Sequence, residues 1–383
     1  MCGFSIPAGE VRVTRATTTP ALCPKYHCAH DPSLQEPPLP SRHPAGSGRG
    51  LAQVHDPVTV RAPAKINLFL GVGGLRPDGY HAVTNVAQAV SLYDEVTARA
   101  ARGVSAAVRG EGAGAVPSGL GNLAVRAAEA LRAHAGVQSG VHLEIRKTIP
   151  VAAGLAGGSA DAAAALVACD RLWRTGLDRD ALTSLAADCG SDVPFALSGG
   201  VGLGTGRGEQ VSPVLVAGEY HWVLAFASGG LSTPAVYSEF DRLQGIGAFS
   251  PGAQPAVASS DGIAQVVTEP PPADGVLSAL RHADAGLLAD VLRNDLAAAA
   301  VRLRPDLSRT LDAGREMGAL AAIVSGSGPT CAFLTSTRDE RIRLAAGIAG
   351  AGVCRAVQQV SGPVPGARVV SDPQRSPTAL DSS

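Results

Sequence analysis

The sequence predicts an α+β protein made of two units. Three observations carry that expectation. The chain has 383 residues, enough for about two domains. Its 45% apolar and 17% charged content is that of an ordinary globular protein. Strand-like alternation and helix-like spacing both occur in each half, as mixed architectures require.

Residues 1–57 are rich in Pro, Ser, Arg and His without a sustained apolar period, and read as a disordered extension or an upstream start outside the fold. Order should begin at "VTVRAPAKINLFLGV", where Val58 and Val60, then Ile66, Leu68 and Leu70, alternate on either side of Pro63. "RPDGYH" follows as a turn, with Pro77 and Gly79 placed to reverse the chain. "NLAVRAAEALRAHAG" reads as a helix ended by Gly136. "GVHLEIRK" alternates Val141, Leu143 and Ile145 with polar residues, a half-buried strand. Helices follow from near Ser159 and over "RDALTSLAADCG", which stops before "SDVPFAL". These elements form a first unit, residues 58–218.

A second unit, residues 219–364, opens on the buried strand "YHWVLAFAS". Helices are expected near "VLSALRHA", "LLADVLRNDL" and "RTLDAGREMGAL", then a strand–turn–strand over "AAIVSGSGPTCAFL". Residues 365–383 read as a frayed polar tail.

Composition excludes several functions. A net charge of −1 gives no general case for nucleic acid or an anionic membrane as partner. No apolar run approaches the roughly 18 residues of a membrane span, and the N-terminus lacks the pattern of a secretory signal. Seven scattered cysteines read as reduced thiols in the cytoplasm. Cys23, His27, Cys28 and His30 lie close together but match no zinc spacing, so no metal-ligating residues are assigned.

The stretch "VAAGLAGGSADAAAALVAC" runs from a small-residue loop into an alanine-rich helix. A Walker A loop needs a lysine after glycine, and none of the three lysines, Lys25, Lys65 and Lys147, follows one. The Rossmann spacing is absent. What remains is a helix N-terminus after Gly154, Gly157, Gly158 and Ser159, where free N–H groups favour an anion. Tight packing of strand on helix explains the loop equally well. Asp161, in the first turn, opposes an anion unless it meets a cation such as magnesium. Lys65 sits in an apolar strand, where it either snorkels outward or pairs with a carboxylate and a substrate oxygen. Asn67 shares its face. Asp192 in "GSDVPF" is either a turn aspartate bonded to its own backbone or a general base. Tyr80 and His81 are surface residues or a binding wall, and "SGSGPT" is a tight hairpin or a close approach of backbone to ligand.

Taken in order, "PAKINLFL…GLRPDGYHAVTNVAQAVSLYDEVT", "IPVAAGLAGGSADAAAAL", "GSDVPFALSGGVGLGTGRGE" and "RNDL…SGSGPTCAF" resemble the GHMP kinase superfamily along roughly residues 58–340. Within it, "RPDGYH" and "GSDVPF" resemble the branch acting on 4-diphosphocytidyl-2-C-methyl-D-erythritol, in the non-mevalonate isoprenoid pathway. The resemblance implies a two-domain fold, ribosomal protein S5 domain 2-like then ferredoxin-like. It implies ATP and Mg2+, small-molecule partners only, and a monomer or homodimer.

It also implies roles. Pro150, Val151, Ala152, Ala153, Gly154, Leu155, Ala156, Gly157, Gly158, Ser159 and Ala160 would wrap the ATP phosphates. Asp192 would take the proton of the substrate's C2 hydroxyl, with Lys65 offsetting charge on it and on the γ-phosphoryl. Asn67 would orient the same oxygens, Tyr80 and His81 would face the cytidine, and Tyr237 in "STPAVY" would stack on the other face of cytosine. The chain departs from the family in carrying Ala152, Ala153, Ala156 and Ala160 where glycine or a second serine is usual, and alanine resists positive φ. The rival readings are a kinase of homoserine, mevalonate or a sugar, and a sensor that has lost chemistry. Retention of both Lys65 and Asp192 speaks against the sensor.

Overall fold

Pro63 lies within the longest run of apolar alternation, yet a proline cannot donate to a strand ladder. The chain resolves this with an irregularity. In the computed structural model, which describes residues 56–245 and 269–370, β1 (Val58–Leu75) runs antiparallel to β2 (His81–Ala101), and their register shifts between Pro63 and Ala64. The expected N-terminal extension up to residue 55, the Cys/His group within it, and residues 371–383 lie outside the described residues.

The chain continues through β3 (Val104–Gly110), α1 (Leu123–His134), β4 (Gly140–Lys147), α2 (Gly157–Trp173), α3 (Arg179–Cys189), α4 (Val193–Ser198), β5 (Val201–Thr205) and β6 (Gln210–Pro213). The second half carries β7 (Tyr220–Phe226), α5 (Thr233–Leu243), α6 (Asp274–Ala279), α7 (Ala285–Ala289), β8 (Arg293–Asn294), α8 (Ala297–Leu303) and α9 (Asp306–Glu316). It ends with β9 (Ala321–Val324), β10 (Cys331–Thr335), α10 (Arg338–Gly350), β11 (Ala356–Gly362) and β12 (Arg368–Val369).

Two sheets result. The larger has the order β12-β1-β2-β4-β3, with β5, β6 and β8 attached, and the smaller has the order β11-β7-β10-β9. Helix α2 buries Ala160 to Ala165, Leu166, Ala168, Cys169 and Leu172. Its small side chains let it lie close against β1, β2 and α1. The small sheet obeys the period of two strictly. Trp222, Leu224 and Leu334 face the same core as α2, while Val223, Ala225 and Phe333 face α5, α8, α9 and α10. Trp222 Nε1 donates to Gln88 Oε1 of β2 at 2.9 Å, fastening the sheets together.

Two expectations are corrected. The helix expected through "LLADVLRNDL" stops at α7, because the chain turns into β8 to pair in parallel with Phe69 and Leu70 of β1. Residues 365–370, expected as the start of a frayed tail, include β12, which returns to pair with Val60 and Arg61.

Candidate active site

The segment from Pro150 to Ala160 leads from the buried end of β4 into the first turn of α2. Gly154 has φ 75°, and a Cβ there would stand 2.2 Å from the Ser325 carbonyl oxygen, so this position requires glycine. Ala152 and Ala156 also sit in the left-handed region, at φ 52° and 57°. Each pays about 1 kcal/mol or more for that. No side chain caps α2, because the residue at its N-cap is Ala156. Gly157, Gly158 and Ser159 line the cavity in front of the helix, where unpaired N–H groups and the helix dipole suit an anion.

Asp161 does not face that anion unopposed. The cation that it meets within the protein is Lys147. Lys147 Nζ donates to Asp161 Oδ2 at 2.7 Å and to Asp94 Oδ2 at 2.5 Å. Asp94 Oδ1 accepts from the backbone N–H groups of Thr148 and Ile149, at 2.6 and 2.9 Å. All three charged side chains are buried, Lys147 being 3% exposed. Burial alone would lower the Lys147 ammonium's affinity for its proton, but Asp161 and Asp94 reverse that and raise it. Burial, with Asp94 adding, pushes the Asp161 carboxyl up to about 8. The cluster ties β2 and the end of β4 to the first turn of α2, so it holds both ends of the loop.

Lys65 and Asn67 share a face of β1, as their spacing requires. Lys65 Nζ donates to Asn67 Oδ1 at 2.8 Å, and Asn67 Nδ2 donates to Asn85 Oδ1 of β2 at 2.6 Å. Lys65 is 8% exposed, and its ammonium lies 4.0 Å from Asp192 Oδ2. Asp192 occupies the N-cap position of α4 but its side chain accepts no capping bond. The bond to its own backbone that the turn-aspartate reading calls for is not made at this cap. A Cβ on Gly326 would stand 3.1 Å from Asn67 Oδ1 and 3.7 Å from Lys65 Nζ. The "SGSGPT" turn thus brings bare backbone against this pair, with Ser325 Oγ donating to the Gly154 carbonyl at 3.2 Å.

The third wall is aromatic. The His81 ring stacks on Tyr237 of α5, with centroids 5.4 Å apart and planes at 20°. His81 Nδ1 lies 2.9 Å from the Gly73 carbonyl oxygen, which can only accept, so this nitrogen carries a proton. His81 Nε2 faces Asp241 Oδ1 at 3.1 Å, and both side chains are buried. Burial, aided by Asp192 and Asp241, pushes the Tyr237 phenol up to about 12. Tyr80 is 57% exposed, with the Arg207 guanidinium 5.1 Å from its ring centroid. One face of Tyr237 and one face of Tyr80 are therefore already occupied.

These groups line one cavity of about 890 Å³, together with Lys147, Asp161, Arg207 and Asp241. Of the residues singled out from sequence, Leu155 and Ala160 are buried behind the loop and absent from the cavity lining. Asn85, Asp94, Lys147, Arg207 and Asp241 were not singled out. Lys147 carried one signal, a lysine ending an alternating strand at an inward position. Asp241 carried none, because its partner lies 160 positions away.

Residues 122–200 match the N-terminal domain of the GHMP kinases and residues 276–353 match their C-terminal domain. The chain is 54% identical to the 4-diphosphocytidyl-2-C-methyl-D-erythritol kinase of Salinispora arenicola, over 82% of this chain and 95% of that protein. It is 53% identical to the enzyme of the same name from Nocardia farcinica, over 85% and 99% of the two chains. A crystal structure of 4-(cytidine 5'-diphospho)-2C-methyl-D-erythritol kinase superposes with a TM-score of 0.60 at 29% identity, covering 79% of this chain and 98% of that one. Homoserine kinase from Cytophaga hutchinsonii shares the fold, with a TM-score of 0.62 at 18% identity over 82% of this chain and 98% of that one.

Proposed function

We infer the reaction from one premise: the chain belongs to the 4-diphosphocytidyl-2-C-methyl-D-erythritol kinase family, within the GHMP kinases. It is an ATP-dependent small-molecule kinase that phosphorylates 4-diphosphocytidyl-2-C-methyl-D-erythritol in the non-mevalonate route to isoprenoid precursors. We propose the following roles for its residues, with a domain boundary at 218/219.

The observation that carries the mechanism is the approach of Lys65 to Asp192 within the cavity that the α2 N-terminus faces. Asp192 accepts the proton of the substrate's 2-hydroxyl as that oxygen attacks the γ-phosphorus of ATP. Its carboxylate is uncommitted to backbone, which leaves a lone pair for that proton. Lys65, held by Asn67, balances negative charge on the base and on the transferring phosphoryl group. The loop from Pro150 to Ala160 receives the ATP phosphates on the free N–H groups of α2. At the other end, cytosine fits against the open face of Tyr237, with Tyr80 opposite and His81 behind.

Magnesium bound with ATP would neutralise the β- and γ-phosphates. Among the described residues no three His, Cys, Asp or Glu side chains gather into a cage. This suits Mg2+, which keeps waters and phosphate oxygens as ligands and asks little of the protein. Ser159, in the first turn of α2 and lining the cavity, would be the side chain to hold it. Among the described residues no helix is long and apolar enough to cross a membrane. The reading includes a cytoplasmic monomer or homodimer.

The test is ATP consumption with the cytidylated substrate beside homoserine, mevalonate and galactose. Turnover confined to the cytidylated substrate is expected. Preference for any of the others overturns the assignment of the aromatic wall.

A further inference from the structure

The outer face of the large sheet, turned away from α2, carries a row of charge that phosphoryl transfer does not use. Arg368, Arg61, Glu95, Arg146 and Arg109 are successive register partners across β12, β1, β2, β4 and β3. Residues in register project from one face of a sheet. Four guanidiniums therefore stand in line with a single carboxylate, and two of the neighbouring pairs are like-charged, an arrangement that costs stability. Glu95 is already engaged, since Arg146 donates to it through Nε at 3.1 Å and Nη2 at 2.9 Å. Arg61, directly opposite the same glutamate, makes no side-chain hydrogen bond or ion pair among the described residues. Its guanidinium lies 4.7 Å from the Tyr93 ring centroid.

A second wall faces this row. Phe226 of β7, Arg355 and residues 356–358 at the start of β11 supply it, and with Arg61 and Arg146 they line an open cleft of about 490 Å³. Arg355 on this wall gives only Nη2 to Glu111, at 2.8 Å, and keeps the rest of its planar fork free. The volume falls in the range of small-ligand sites. A walled cleft suits a small molecule better than a polymer lying on a flat face.

We propose that this cleft is a second binding site, for a small phosphorylated anion gripped between Arg61 and Arg355, and that its occupancy is felt at the nucleotide loop. Two guanidinium forks with donors to spare line the same cleft, and each matches the bidentate geometry of phosphate oxygens. The link to the loop is contiguous. Lys147 and Pro150 line both the cleft and the main cavity. Thr148 Oγ1 donates to the Tyr93 carbonyl, beneath Arg61, and the adjacent Asp94 holds Lys147, which holds Asp161 in α2. An anion that draws Arg61 and Tyr93 together pulls on the segment anchoring the loop. This coupling rests on reading the loop as the ATP site, whereas the cleft itself does not.

The experiment is calorimetric titration of the full chain with inorganic pyrophosphate, alone and saturated with a non-hydrolysable ATP analogue. One pyrophosphate is expected per analogue-saturated chain. Its affinity should fall about tenfold or more in Arg61→Gln and in Arg355→Gln, as expected for losing a charged hydrogen-bond partner. Both variants should keep the wild-type Tm and the wild-type kcat measured without pyrophosphate. The analogue and pyrophosphate should alter each other's affinity by the same factor. Absence of pyrophosphate binding to the saturated chain, or binding unchanged in both variants, overturns the site. Binding lost in the variants without any mutual shift upholds the site and overturns the coupling. A chain that binds pyrophosphate in this way but phosphorylates nothing overturns the kinase mechanism and leaves the cleft standing.

Discussion

Lys65 and Lys147 are both buried lysines at inward positions of the same sheet, yet their surroundings differ in kind. Lys147 is closed on two sides by carboxylates at 2.5 and 2.7 Å, so its charge is spent within the protein. Lys65 has a neutral amide at 2.8 Å and its nearest carboxylate at 4.0 Å, with the cavity in front. A buried ammonium closed in by two carboxyl groups serves the fold. One whose carboxylate stands off by more than a hydrogen bond still has donors to offer a ligand.

The contrast breaks most visibly at Asp192. Asp192→Asn removes the proton acceptor and should lower kcat by about 10²–10⁴-fold, with KM for ATP and Tm little changed. Turnover within a few-fold of wild type would return Asp192 to the role of a turn residue. Lys147→Met should do the reverse and act on stability. It leaves the buried Asp94 carboxylate without its cation and Asp161 without its donor, and unfolding measurements should show a loss of about 3–5 kcal/mol. A variant that melts like wild type would show that the cluster does not hold the loop.

Smaller effects sharpen the difference between the aromatic wall and the charged one. Tyr237→Ala should raise KM for the cytidylated substrate by roughly 5- to 150-fold, the equivalent of about 1–3 kcal/mol of base stacking. Steady-state kinetics should show kcat falling much less, and Tyr237→Phe, which keeps the ring, should be nearly silent. Equal changes in both KM values would point to a packing role instead.

The most gradual expected effect is a pH slope. The Asp161 carboxyl, raised by burial from 3.8 to about 8, holds a proton in the folded chain that the unfolded chain releases. The stability this contributes is fully present below the unfolded value and is lost as pH rises through the folded one, at up to about 1.4 kcal/mol per pH unit. Between pH 5 and 8, wild-type stability should fall relative to that of Asp161→Asn. Parallel profiles for the two proteins would mean that Asp161 is ionised throughout.

Much of the site was legible where the signal is local. The spacing of Lys65 and Asn67 in a strand puts them on one face whatever lies elsewhere, and the glycine loop before α2 marks a helix start. Asp192 was not legible on its own, because its partner lies 127 positions away and a turn aspartate looks the same locally. That the cation meeting Asp161 is Lys147 was not legible for a related reason. Lys147 was weighed only as an absent Walker lysine, not as the last inward residue of β4. In the fold, the helix α10 was passed over although Thr337 and Glu340 have the spacing of a capping box, and Glu340 N–H does donate to Thr337 Oγ1 at 3.2 Å. β8 left no sequence signal at all, since a two-residue strand has no period to detect.

The return of β12 to β1 has a consequence for how the protein is made. Val60 and Arg61 leave the ribosome early, and their partners Val369 and Arg368 follow roughly 300 residues later. Until then one flank of β1 is a bare strand edge, a template onto which another nascent chain can dock. The last closing strand is only Arg368 and Val369, so its pairing adds little stability while covering a hazard. Truncations just before Arg368 should therefore be felt first as lower yield of native protein from the ribosome, ahead of any change in the catalytic groups.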